Sequence, residues 1–248
     1  MNNDKPKIFA CTHIGGNDVQ RAFQVIKTPA YLMLGNPGIL YKKIIYQGLR
    51  MNGVIPLETL DKKERKIAYN RAVELLNKNG NLLIFPEGAW NVSPNAFVMK
   101  LFTGTVRIAG DTGAEIIPIA TEQYGNTFYF NIGKNYTVPE NYLDIAEDLT
   151  DELWEKLATL KWEIMLSQPE LKRDEIPELE DFQDEIIERC NYGYGFSLED
   201  AFKERFHDKY AIEEEEVFAF LKNIDINLNN AFLMKDKLEL TRKKVIAI

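Results

Sequence analysis

The stretch "LLIFPEGAWN", residues 82–91, governs how the first half of the chain is read. Leu82 to Phe85 is an apolar run of strand type that stops at Pro86. The next side chain is a carboxylate, Glu87, followed by Gly88 and then by an indole, Trp90, where a solvated turn is expected. A buried strand that ends in an acid delivers that acid to one edge of a sheet, and the elements on either side indicate which kind of sheet.

Upstream, residues 61–78 form the clearest helix, with Ala68, Ala72, Leu75 and Leu76 on one face and Gly80 as its stop. Before it, Lys7 to Thr12 and the stretches "TPAYLML" and "GVIPL" read as strands. After Gly15-Gly16, Asp18 can cap a helix whose apolar residues Val19, Ala22, Phe23 and Ile26 fall on one face. "ILYKKIIYQGLR" suggests a short helix. Downstream come a helix around 101–110 and the strands "EIIPIATEQ" and "FYFNIGK". Strands alternating with helices predict an α/β class: a mixed sheet flanked by helices over residues 1–144. Residues 145–248 have another texture and are expected to form an acidic helical C-terminal extension packing back on the sheet or on a partner. There, residues 150–167 put Leu153, Trp154, Leu157, Leu160 and Ile164 on one stripe. Ser197 and Asp200 resemble a capping box, and "EEEEVFAFLKNI" reads as a further helix.

Composition narrows the function classes. The 248 residues contain 45% hydrophobic and 11% aromatic residues, an ordinary globular content. Cys11 and Cys190 are too few for a disulfide framework, which suits a reducing compartment, and two histidines give little support to a metal site. The polar start "MNNDKPK" leads into no apolar signal segment, and the longest uncharged run, Thr28 to Tyr41, is too short and too broken to span a bilayer. The expectation is a cytoplasmic protein, soluble or peripheral at the inner membrane face, with no transmembrane segment. Residues 1–140 carry 16 Lys/Arg against 11 Asp/Glu, a net of +5, whereas residues 141–248 carry 14 against 27, a net of −13. A basic first part suits anionic ligands or an anionic membrane surface. No feature points to nucleic acid, and neither a Walker A sequence nor G-x-G-x-x-G is present.

In open α/β sheets ligands bind beyond the carboxyl ends of the strands. The first strand delivers His13 there, with Asp18 five positions later, and the strand at 81–85 delivers Glu87-Gly88. A carboxylate bonded to one imidazole nitrogen fixes the tautomer, so that the other nitrogen can take a proton from a hydroxyl. No G-x-S-x-G elbow supplies a serine nucleophile, so the pair reads as a base acting directly on a substrate alcohol. Taken singly, His13 also reads as a structural loop histidine, Asp18 as a helix cap and Glu87 as a turn acid.

Together these residues resemble the glycerolipid acyltransferases, the 1-acylglycerol-3-phosphate (PlsC-like) acyltransferase superfamily. "THIGGND" (12–18) is similar to their His-x4-Asp block, "NGVIPLE" (52–58) to the glycine-plus-strand block, "FPEG" (85–88) to the next signature and "IIPIA" (116–120) to the last. The resemblance implies transfer of a fatty acyl group from acyl-CoA or acyl-carrier protein to a hydroxyl of a lysolipid or glycerolipid acceptor, with no other cofactor and no metal. It makes His13 the general base and Asp18 its orienter. It places Glu87 and Gly88 in the acceptor pocket and Pro118 on the acyl-donor side, with loop amides stabilising the oxyanion; Trp90, Gly53 and Lys100 are read as further substrate-binding residues. The alternative is a catalytically inactive lipid- or acyl-carrier-binding protein of the same fold.

The sequence also departs from the family pattern. Members taking phosphorylated acceptors usually have arginine after the second block's strand and Thr-Arg after FPEG; here Glu58 and Ala89-Trp90 stand there. Arg50, Lys100 and Arg107 are the cations that could substitute, and Thr12 replaces a common asparagine. "AYLMLGNPGILYKKIIYQ" mixes apolar and cationic residues as an interfacial segment would. "DTGA" (111–114) copies an aspartic-protease signature, but no second copy exists and the residues suit a turn. His207 reads as a surface residue of a charged helix.

Overall fold

A computed structural model describes residues 5–15, 17–35, 53–59, 61–91 and 96–169. The helix expected in "ILYKKIIYQGLR", most of the interfacial segment, Arg50, the capping box at Ser197, the "EEEEVFAFLKNI" helix and His207 lie outside the described residues. The chain divides into the compact units Met1–Phe202 and Lys203–Ile248, and every described residue belongs to the first.

The described residues form six strands and four helices. The strands are β1 (Lys7–Cys11), β2 (Tyr31–Gly35), β3 (Val54–Leu57), β4 (Leu82–Ile84), β5 (Glu115–Tyr124) and β6 (Thr127–Ile132). The helices are α1 (Asp18–Ile26), α2 (Lys62–Asn77), α3 (Gly104–Thr112) and α4 (Ala146–Leu166). One sheet has the order β3-β2-β4-β1-β5-β6, parallel except for the β5–β6 hairpin. It is the mixed, helix-flanked sheet expected from the sequence.

Period-two alternation sorts the side chains of β1 to opposite faces. Ile8 and Ala10 pack with Ala68, Ala72 and Leu76 of α2, Val106 and Ile108 of α3, and Leu149, Leu153 and Leu157 of α4. Phe9 and Cys11 pack on the other face with Ala22 and Ile26 of α1. The chain therefore leaves β1 toward one face and β4, the neighbouring strand, toward the other. Neighbouring strands whose connections part in this way open a crevice at their carboxyl ends.

Two helix ends differ from the sequence reading. Asn17, not Asp18, occupies the N-cap of α1, so Asp18 is the first helical residue and its carboxylate turns back toward the preceding loop. At the end of α2 the left-handed residue is Asn79, with φ +62°; Gly80 is needed instead because a Cβ there would meet Leu75 Cδ1 at 2.3 Å. The start of α2 is as expected, with Asp61 Oδ1 accepting the amides of Lys63 and Glu64.

The acidic region opens with α4, which packs on β5, β6 and α3 within the same core. Leu153 and Leu157 are fully buried, and each contributes roughly 1.5–3 kcal/mol on burial. No helix among the described residues is long and apolar enough to cross a membrane.

Candidate active site

The loop after β1 is built around Asp18. Its Oδ2 accepts the main-chain N–H groups of Ile14 at 2.8 Å and Gly15 at 2.9 Å, and lies 2.8 Å from His13 Nδ1. Gly15, with φ +86°, takes the left-handed conformation that lets the loop fold back on the carboxylate. A carboxylate oxygen that accepts here makes Nδ1 the donor, and in the neutral tautomer so fixed Nε2 keeps its lone pair. Asp18 is 1% exposed, and the His13 side chain is 14% exposed. The pair is thus screened from water while the imidazole retains an opening.

His13 is held from three further directions. Its ring stacks on Phe85 with centroids 4.2 Å apart, and Trp90 presents an edge at 6.1 Å. Its carbonyl accepts the Asn91 N–H at 2.7 Å. Its own N–H donates to Glu87 Oε1 at 2.9 Å. The second oxygen of Glu87 accepts the Met99 N–H at 2.8 Å.

Glu87 is 0% exposed. The resemblance gives this residue to the acceptor side; its two oxygens are instead engaged by main-chain amides, so it braces the loops after β1 and β4 against the segment at 96–99. Burial pushes its carboxyl above the ordinary glutamate value, and Lys161, the two amides and His13 oppose that rise. Burial, with the charges of Asp18 and Glu87, likewise raises the Cys11 thiol, which leaves it a packing residue rather than a nucleophile.

Gly88 is exposed and has φ +71°, and a Cβ there would meet Phe102 Cε2 at 2.5 Å. The glycine closes the turn, its N–H donating to the Phe85 carbonyl at 3.0 Å. Thr12, in place of the family's asparagine, accepts the Thr121 N–H at 2.9 Å and clamps the end of β1 to β5.

Two predicted residues lie away from this cluster. Gly53 sits at the amino end of β3, opposite to the edge carrying His13 and Glu87, and its φ of +97° serves the turn into the strand. Pro118 is buried in β5 beside Ala10, and Gly133 fits between it and Leu160. Its missing N–H is tolerated because β6 pairs only from Ile119 onward. Lys100 follows Met99 and is exposed. Arg107 lies in the electrostatic neighbourhood of Tyr69 and Tyr142. Those two hydroxyls donate to Asp111, which gives the aspartate of "DTGA" a structural role.

Sequence reading missed Met99, Asn91, Lys161 and Glu122. Lys161 is 4% exposed and pairs with Glu122 Oε1 at 2.8 Å. A signal did exist: Lys161 falls four residues after Leu157, on the buried stripe of α4.

The model of the Acyltransferase family matches residues 1–122, the part of the chain that contains β1 to β4, α1, α2, α3 and most of β5. The chain is also similar to the chloroplastic 1-acyl-sn-glycerol-3-phosphate acyltransferase of Arabidopsis thaliana, at 26% identity over 117 residues, 47% of this chain and 32% of that protein. A chloroplastic 1-acyl-sn-glycerol-3-phosphate acyltransferase of Brassica napus matches at 26% over 117 residues, 33% of its length. The chain thus spans about a third of the length of these curated relatives. The match of residues 1–122 to the Acyltransferase family, together with the meeting of the His-x4-Asp and FPEG blocks at one edge of the sheet, supports the similarity to the PlsC-like acyltransferases.

Proposed function

We propose that the protein is an O-acyltransferase that moves a fatty acyl group from a thioester, on CoA or acyl-carrier protein, to a hydroxyl of a lysolipid or related glycerolipid. The observation that carries the reading is the His13–Asp18 pair, 2.8 Å apart beside the FPEG turn. His13 Nε2 takes the proton of the acceptor hydroxyl as its oxygen attacks the thioester carbonyl. Asp18 stabilises the imidazolium, which returns the proton to the departing thiolate as the tetrahedral intermediate collapses. A positioned base of this kind contributes about 10²–10⁴-fold. The indole of Trp90 lies where relatives taking phosphorylated acceptors usually place arginine, and it stands edge-on to the His13 ring. That favours an acceptor recognised by its apolar part and hydroxyl more than by a phosphate.

The test is acceptor-dependent thiol release from acyl-CoA and acyl-carrier protein, with lysolipid, glycerol phosphate and neutral glyceride acceptors. Release with one acceptor class, accompanied by formation of the matching ester, is expected. Absence of release with every acceptor would overturn the reading and leave a binding protein.

A further inference from the structure

We propose that Lys161 of α4 is a positioning residue of the active site: tied to Glu122 and set against the 96–99 segment, it keeps Glu87 in the carboxylate form that accepts both amides. The inference rests on the reading of His13 as the base.

Three contacts tie α4 to that segment. Trp154 Nε1 donates to the Val98 carbonyl at 2.8 Å. Lys161 Nζ stands 5.6 Å from the centroid of the Phe97 ring, and Trp162 meets the same ring edge-on at 6.3 Å. The next residue after Val98 is Met99, whose N–H Glu87 accepts. Asn91 closes the loop from the other side, its side-chain amide donating to the Ala96 and Phe97 carbonyls while its N–H holds the His13 carbonyl. Movement of α4 is thereby transmitted to the residue that fixes the main chain of His13.

The charge matters as much as the contacts. A lysine on a buried helix stripe is costly to desolvate unless a partner compensates. Glu122 of β5 is that partner, and β5 runs past the end of β1, so the ion pair stands at the carboxyl edge of the sheet. The charged and titratable groups around Glu87 come from several elements: Cys11 of β1, His13 of the following loop, Asp18 of α1, Lys161 of α4, and Glu122 of β5 behind it. Lys161 leads the influences that oppose protonation of Glu87. A protonated Glu87 offers one good acceptor instead of two, which loosens either the loop after β1 or the 96–99 segment.

The test follows the His13 and Met99 amides of the full chain by proton–nitrogen correlation NMR during a pH titration. Lys161→Met is compared with wild type, with Lys161→Arg, and with the double variant Lys161→Met, Glu122→Gln. In Lys161→Met the midpoint reported by both amides shifts to higher pH, and Lys161→Arg restores the wild-type midpoint. The double variant removes Glu122 together with its partner, so that glutamate is not left without Lys161; it folds where the single one fails, and its midpoint is also raised. An unchanged midpoint in whichever lysine-free variant folds overturns the inference. Thiol release is measured in parallel, and its acid limb moves with the amides. A wild type that releases no thiol defeats the proposed reaction, while the amide titration still decides the role of Lys161.

Discussion

Asp18 Oδ2 lies 2.8 Å from His13 Nδ1, and the same oxygen accepts the N–H groups of Ile14 and Gly15. One carboxylate oxygen therefore sets both the imidazole tautomer and the loop that carries the imidazole. Because Asn17 stands at the N-cap, capping does not compete for the Asp18 side chain.

Asp18→Asn tests this coupling. A neutral amide can still accept the loop N–H groups, but it stabilises an imidazolium poorly. The expected result is a fall in kcat of about 10²–10³-fold with KM nearly unchanged, read from steady-state thiol release. Activity within about threefold of wild type would show that Asp18 is only a loop brace.

The state of Glu87 makes stability depend on pH in an unusual direction. Its folded value is raised above the ordinary 4.5, so the native state binds its proton more tightly than the unfolded chain does. The stability from this residue is full below the unfolded value and is lost as pH rises through the folded one. Against Glu87→Gln, which does not titrate, the wild type should lose relative unfolding free energy as pH rises from about 4 into the raised window. Urea unfolding at successive pH values measures this; a wild-type advantage growing with pH would contradict the assignment.

Tyr69→Phe separates structure from catalysis. The hydroxyl donates to Asp111 at 2.6 Å, in a cluster away from His13. Its loss should cost about 0.5–1.5 kcal/mol in chemical unfolding and leave thiol release per folded molecule unchanged. An activity loss exceeding the folded fraction would place the Asp111 cluster in the mechanism.

Trp90→Arg tests acceptor choice. The indole edge is 6.1 Å from the His13 ring, and a guanidinium there gains charge-assisted bonds to phosphate. The rate ratio of phosphorylated to neutral acceptors should rise about tenfold. A ratio that stays flat would mean that position 90 does not face the acceptor.

The readable parts of the site were those determined locally. His13 and Asp18 are five positions apart, and the strand, glycine turn and helix start that join them have their own signatures. Glu87 was visible because it ends a strand, but its partners were not: His13 is 74 residues away and Met99 lies in an unpatterned segment. Only the placing of β4 beside β1 brings them together. Lys161 escaped notice because a lysine in a charged helix suits a solvated face, and its burial depends on how α4 packs against β5. Gly53, whose family block was read as part of the site, stands at the entrance to β3, a position that depends on how the strands are ordered and that its local sequence does not reveal.

The most direct measurement is acceptor-dependent thiol release by His13→Ala, made with the protein's best acceptor and checked for a wild-type fold by circular dichroism. If His13 Nε2 removes the acceptor proton, kcat falls by about 10²–10⁴-fold while the donor still binds. Full activity in folded His13→Ala would show that the proton leaves by another route and that the pair with Asp18 is structural.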